Sequence, residues 1–267
     1  MFQTILQKMS NHFTVYGSMI LLGILLSGVW GVFITKRKGM PSDEVILIET
    51  YLVCAAIIGA KILYLAVNVK NIDWGRFFDP EYFNIIMGGG FVYYGGFIGG
   101  VLALPLVKKF HKIPVMKYME VLIPALPFAQ GLGRIGCHTA GCCYGVPYEG
   151  IFHLIYNHGD SPLNGTALFP VQLLESICCF ILAAVLVVYV LKHNKPTPNS
   201  IYIYLYGYGV IRFIIEFFRY DSAERGIYFG LSTSQWISLG LIAAATIAII
   251  YNKRKRGQTE LKPSLSE

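Results

Sequence analysis

Charge is scarce in this chain. Only 14% of its 267 residues are Asp, Glu, Lys or Arg, where a water-soluble domain carries about 25%. Acidic residues are the scarcer kind, 15 against 22 Lys and Arg, for a net charge of +7. So little charge around 55% apolar residues excludes an ordinary soluble domain and points to a polytopic membrane protein. Nucleic acid is excluded as a partner because the basic residues fall in short clusters between apolar runs, which is the signature of cytoplasmic loops. Cysteine is sparse too, with residues at 54, 137, 142, 143, 178 and 179. Cys54, Cys178 and Cys179 lie in apolar runs and read as core filler, so no secreted disulfide framework is present. The opening MFQTILQKMSNHF is too polar ahead of the first long apolar run for a cleavable signal peptide.

Long apolar stretches are what the chain does have. Seven are near the length of about 20 residues that a bilayer requires. They cover roughly 14–35, 45–67, 87–107, 118–133, 172–191, 200–218 and 232–251. The larger basic clusters fall in alternate gaps: Lys36, Arg37 and Lys38; Lys108, Lys109, Lys112 and Lys117; Lys192 and Lys195; and the run Lys253 to Arg256 with Lys262. Positive charge marks the cytoplasmic side. The expected architecture is therefore all-α, with seven transmembrane helices, the N-terminus outside and the C-terminus cytoplasmic. Residues 134–171 form an external, partly re-entrant cap, since irregular backbone at membrane depth needs protein or water around it. Residues 1–256 read as a single transmembrane domain and 257–267 as a disordered cytoplasmic tail.

The segment GLGRIGCHTAGCCYGVPYEG, residues 131–150, departs from this background with six glycines, three cysteines, a histidine and an arginine. Ionisable groups in apolar spans are costly and mark function; here they are Glu49, Lys61, Glu120, Arg134, Glu175, Arg212 and Glu216. Tyr208, Arg212 and Glu216 recur every four residues and share one helical face. One reading is an ion pair that holds a bundle together. The other is that Arg212 presents its fork to an anion while Glu216 orients it. Arg134, among Gly131, Gly133 and Gly136, reads as a second anion site whose glycines free backbone N–H groups. The series Cys137, His138, Cys142, Cys143 is not spaced like the C-x₂₋₄-C pairs of a usual zinc site, so no metal is assigned. A disulfide from Cys137 to Cys142 or Cys143 fits an oxidising exterior better. His138 reads more readily as a structural hydrogen bonder than as a base.

GLGRIGCHTAGCCYG resembles the signature segment of the prolipoprotein diacylglyceryl transferase family. Further stretches resemble that family in the same order: VYG at 15–17, GAKILY at 59–64, GGGFVYYGGFIGG at 88–100, FPVQLLES at 169–176 and YGVIRFIIEFFR at 208–219. The resemblance covers nearly the whole chain. It implies an enzyme of the bacterial inner membrane that moves the diacylglyceryl group of phosphatidylglycerol to the lipobox cysteine thiol of a prolipoprotein signal peptide and releases glycerol phosphate. Carried over by motif, the family's signature arginine is Arg134, its late tyrosine, arginine and glutamate are Tyr208, Arg212 and Glu216, and its first-span tyrosine is Tyr16. Three positions depart from the pattern. Tyr94 stands at the family's histidine, before Gly95 and Gly96; Cys137 stands at its asparagine and Cys142 at its glutamate. Lys61 replaces an arginine.

On this reading Arg134 and Arg212 are expected to be catalytic, with Tyr94, Tyr208 and His138 as alternative proton acceptors. A tyrosine serves as a base only if nearby arginines lower its usual value of about 10. Tyr16, Arg134, Gly136, Arg212, Glu216, Gly95 and Gly96 are expected to bind substrate. No cofactor is expected. The three loop cysteines are expected to serve structure, because the attacking thiol comes from the substrate. A paralogue with another acceptor, a membrane thiol redox protein and a lipid carrier that breaks no bond are the competing readings.

Overall fold

The computed structural model describes residues 2–156, 163, 165–220 and 226–261; side chains are described from residue 17 on, except at 93, 253 and 255–261. The described chain is mainly helical: α1 (Phe2–Arg37), α2 (Asp43–Val67), α3 (Pro80–Gly88), α4 (Tyr93–His111), α5 (Val115–Leu122), α6 (Ala125–Thr139), α7 (Val171–Lys192), α8 (Asn199–Ile215) and α9 (Thr233–Leu261). Two short antiparallel pairs accompany them, β1 (Leu154–Ile155) with β2 (Ala167–Leu168), and β3 (Ile227–Tyr228) with β4 (Leu231–Ser232). Five described helical segments are long and apolar enough to cross a membrane: Gly17–Arg37, Asp43–Val67, Val171–Lys192, Asn199–Phe218 and Thr233–Asn252.

Two of the seven expected spans are interrupted, each for a local backbone reason. The stretch 87–107 is not one helix. α3 ends at Gly88, Gly90 takes a left-handed φ of 67°, and α4 restarts at Tyr93. The stretch 118–133 is broken between Leu122 and Ala125, where Pro124 disfavours helical geometry at the residue before it and removes an N–H donor. The expected cap opens with helical residues. Residues 134–139 belong to α6, and the irregular chain begins after them. Residues 257–261, expected in the tail, continue α9, and 262–267 lie outside the described residues.

The chain packs as two compact units, Gly31–Tyr118 and Met1–Trp30 with Met119–Glu267. In the first, α2 lies against α4 at backbone contact. A Cβ on Gly95 would stand 2.3 Å from the Gly59 carbonyl oxygen, and one on Gly99 would stand 2.2 Å from that of Ala55. Small residues permit such an approach where no hydrophobic force drives helices together. Lys61 of α2 is buried and donates to the carbonyls of Ile86 (2.8 Å), Gly89 (2.5 Å) and Gly90 (3.3 Å). Its ammonium thus satisfies orphan acceptors at the C-terminal end of α3, where a cation is favoured, and fixes the turn that leads into Tyr94.

In the second unit, α6 packs on α7, and α8 on both α7 and α9. A Cβ on Gly131 would meet the Phe180 ring at 2.7 Å, and Ser176 Oγ donates to the Gly131 carbonyl at 2.9 Å. α7 buries three polar residues in its first two turns and exposes apolar ones. Gln172, Glu175 and Ser176 are buried, while Ile177, Ile181, Val185 and Val188 are exposed. Buried polar side chains together with an exposed apolar face suit a helix whose outer neighbour is hydrocarbon.

The glycine contacts make a paired prediction. Gly99→Ala should cost roughly 1–3 kcal/mol by overpacking. Gly100→Ala, whose nearest neighbour would be the tip of Leu52 at 3.9 Å, should cost no more than about 0.5 kcal/mol. Thermal unfolding of the two detergent-solubilised variants checks this; equal losses would contradict the close α2–α4 contact.

Candidate active site

The second unit gathers the charged side chains of three helices. Arg134 on α6 places Nε 3.0 Å from Glu175 Oε2 on α7. Arg212 on α8 places Nη1 3.6 Å from the same oxygen. The other end of the Arg212 fork meets Glu216 Oε2 at 2.5 Å and donates to Ser234 Oγ at 2.9 Å. Arg219 Nε lies 4.0 Å from Glu216 Oε2. These contacts join three guanidiniums to two carboxylates. The cluster carries one positive charge more than it neutralises, in surroundings where an uncompensated charge is expensive.

The two expected anion-binding arginines differ in access. The Arg134 side chain is 20% exposed and that of Arg212 only 9%. Arg212 is walled in by Glu175, Glu216 and Ser234. Arg134 uses Nε on Glu175 and directs Nη1 toward Cys137 Sγ at 3.9 Å. A guanidinium has five donors, so Arg134 keeps capacity for a ligand. Arg134 is the more accessible of the two guanidiniums, and Arg212 lies between the two carboxylates. The glycine nest expected at Arg134 is absent. Gly131, Gly133 and Gly136 lie in helical α6, which directs their N–H groups along the helix axis rather than around a ligand. Gly136 is buried, and its carbonyl accepts from Thr139 Oγ1 and the Ala140 N–H.

Of the other expected residues, Tyr208 stacks on Tyr204 with ring centroids 5.7 Å apart and planes 7° from parallel, within electrostatic reach of Arg134. His138 Nδ1 is hydrogen-bonded to the Tyr156 hydroxyl at 2.8 Å, as a structural histidine would be. Burial pushes the Tyr156 hydroxyl up to about 12. Tyr94, Gly95 and Gly96 belong to the first unit, where exposed Tyr94 lies in the first turn of α4 and Gly95 lies against Gly59. Tyr16 falls in α1, but its side chain lies outside the described residues.

Beyond α6 the chain is laced to its neighbours. The Val146 N–H donates to the Phe218 carbonyl at 3.0 Å, and the Phe169 N–H to the Val146 carbonyl at 2.9 Å. Gln172 Nε2 donates to the Cys142 carbonyl at 2.9 Å. Cys137, Cys142 and Cys143 are free thiols, where the sequence alone favours a disulfide. Their sulfurs lie within 4.8 Å of one another. Cys143 is held toward thiolate by hydrogen bonds from Cys137 and Cys142 and by the charges of Arg219 and Arg134.

Comparison with known proteins identifies the family. A family model described as prolipoprotein diacylglyceryl transferase matches residues 3–251. The chain belongs to the prolipoprotein diacylglyceryl transferase family. It is 37% identical over 225 residues to a Clostridium tetani protein named phosphatidylglycerol–prolipoprotein diacylglyceryl transferase, covering 84% of this chain and 87% of that one. A Clostridium perfringens relative, the second transferase of that name, is 34% identical over 90% of this chain and 91% of its own. One from Finegoldia magna is 29% identical over 90% and 91%. For a diacylglyceryl transferase family member, five apolar helices and the exposed apolar face of α7 fit a multi-pass membrane protein.

Glu175 is the residue whose role sequence reasoning missed. A carboxylate in an apolar stretch signals that it has a partner, but nothing local says that it has two. Arg219 and Ser234 were missed as well, and neither carries a signal beyond residue type. Glu175→Ala should destabilise the protein by roughly 3–5 kcal/mol, because two buried guanidiniums lose their shared counter-ion. Glu175→Gln, which keeps the shape, should lose less. Melting temperatures of both variants check the order.

Proposed function

We infer that this chain transfers the diacylglyceryl group of phosphatidylglycerol to the cysteine thiol of a prolipoprotein lipobox. The observation that carries the reading is the three-arginine, two-carboxylate cluster, whose surplus positive charge suits a phosphodiester. The lipid phosphate binds Arg134 through a charge-assisted fork. Arg212, held by Glu175, Glu216 and Ser234, keeps the local potential positive. The acceptor thiol gives up its proton, since thiolate is the reactive form, and its sulfur attacks the glyceryl carbon that bears the phosphate ester oxygen. A C–S bond forms, the C–O bond breaks, and glycerol phosphate leaves with the electron pair. Arg134 faces the oxygens on which negative charge grows, which is where preorganised donors lower a barrier. Tyr208, beside Arg134 and Tyr204, is the tyrosine best situated in this unit to steer the substrate.

The same reading supplies the membrane setting. Residues 1–256 act as one transmembrane domain in the cytoplasmic membrane of a bacterium. Seven apolar segments cross it, two of them broken, with the N-terminus outside and the basic loop near Lys112 inside. The irregular chain after Thr139 then faces outward with the lipid-binding end of the cluster. Labelling of Lys112→Cys by an impermeant maleimide applied from outside would contradict this orientation.

The direct test is transfer of a labelled glyceryl group from phosphatidylglycerol to a lipobox peptide, with Ser replacing the peptide's Cys as control. Arg134→Ala should cut turnover by at least about 100-fold while the protein still inserts. Arg134→Lys should also be poor, because a point charge replaces a fork. Near-unchanged turnover in Arg134→Ala would remove the phosphate contact.

A further inference from the structure

The thiol cluster is not used by the reaction as derived, and its construction is specific. Adjacent cysteines ordinarily turn their side chains apart. Here Cys143 adopts a left-handed φ of 60° and Gly141 one of 66°, and all three sulfurs converge within 4.8 Å. A non-glycine residue held in that region costs energy and clusters at functional sites. The turn is fixed from two sides: the Cys142 N–H donates to the Cys137 carbonyl at 3.1 Å, and Gln172 holds the Cys142 carbonyl. Cys137 is buried and Cys142 exposed, so the cluster is anchored in the protein and open at one side. Arg134 Nη1 touches Cys137 Sγ, which joins the cluster to the phosphate contact.

We propose that Cys137, Cys142 and Cys143 hold a zinc ion through three thiolates and leave its fourth position for the acceptor thiol. Tetrahedral zinc with bonds of about 2.3 Å sets its sulfur ligands about 3.8 Å apart, so the thiols have only to close slightly. Three protein ligands with an open position are the pattern of a reactive rather than a structural zinc site. The resulting centre carries one negative charge and lies beside the Arg134 guanidinium. The inference rests on the transferase reading for its substrate. The lipobox thiol takes the open position, its proton passes to water, and the zinc-held sulfur attacks the glyceryl carbon; the C–O bond to phosphate breaks and glycerol phosphate leaves. A metal-bound thiol is deprotonated near neutral pH, so no side-chain base is needed to make the nucleophile.

The test uses the full-length protein in detergent, purified without chelator and reconstituted with Zn²⁺ or Co²⁺. Elemental analysis should find about one metal per chain, as one such site requires. The Co²⁺ form should show thiolate-to-metal charge-transfer absorption that weakens in Cys142→Ser, a change at an exposed position that leaves the fold intact. A lipobox peptide should intensify that absorption and its Ser analogue should not. Metal removal should lower transfer by roughly 100-fold, the scale of assisted proton transfer, and Zn²⁺ should restore it. Substoichiometric metal after reconstitution, or a spectrum indifferent to Cys142→Ser, overturns the site. Metal bound with no response to the peptide thiol overturns its role. Full transfer by a metal-free protein overturns the zinc proposal and leaves the transferase standing. Metal and peptide-thiol binding without glyceryl transfer does the reverse.

Discussion

One carboxylate oxygen receives two guanidiniums. Glu175 Oε2 meets Arg134 from α6 and Arg212 from α8, and the second unit is arranged so that it can. Each of these charges would be prohibitive alone among apolar helices. Together they are tolerable only if three helices approach closely enough for their side chains to meet. Gly131, which admits the Phe180 ring, and Ser176, which bonds the Gly131 carbonyl, let α6 and α7 do so. The small residues of the signature segment therefore act through packing, and the charges act because of that packing.

The cluster is asymmetric, and the asymmetry divides labour. Arg212 is buried between Glu175, Glu216 and Ser234, with its Nη1 3.6 Å from Glu175 and without a hydrogen bond. Arg134 is the more exposed and keeps donors in reserve. The charge cluster and the loop thiols meet at this guanidinium, which touches Cys137 as well as Glu175. Lys61 plays a comparable internal role in the first unit, where its ammonium ties off the carbonyls of a broken helix before Tyr94.

Several features were legible from residue order alone, because they depend on local chemistry. Scarce charge and long apolar stretches give a membrane protein, and α2, α7, α8 and α9 begin within a few residues of the expected limits. The four-residue spacing of Arg212 and Glu216 gives their contact directly, since one helical turn brings them together. Ordered motifs spread over the chain gave the family. The two helix breaks were also written locally, in Gly89 and Gly90 and in Pro124, although hydropathy ran across them. Average apolarity is blind to a backbone that cannot continue its hydrogen-bond ladder.

The sequence by itself determined the environment, most of the helices and the identity of the chemical groups, since each follows from composition, period or a contiguous motif. Tertiary structure alone decided which charges share a partner, that Arg134 rather than Arg212 is the accessible guanidinium, and that Cys137, Cys142 and Cys143 converge as thiols. Those facts depend on how α6, α7 and α8 are rotated about their axes and on a left-handed turn at Cys143. Rotation and turn are set by packing between distant segments, and no local pattern encodes them.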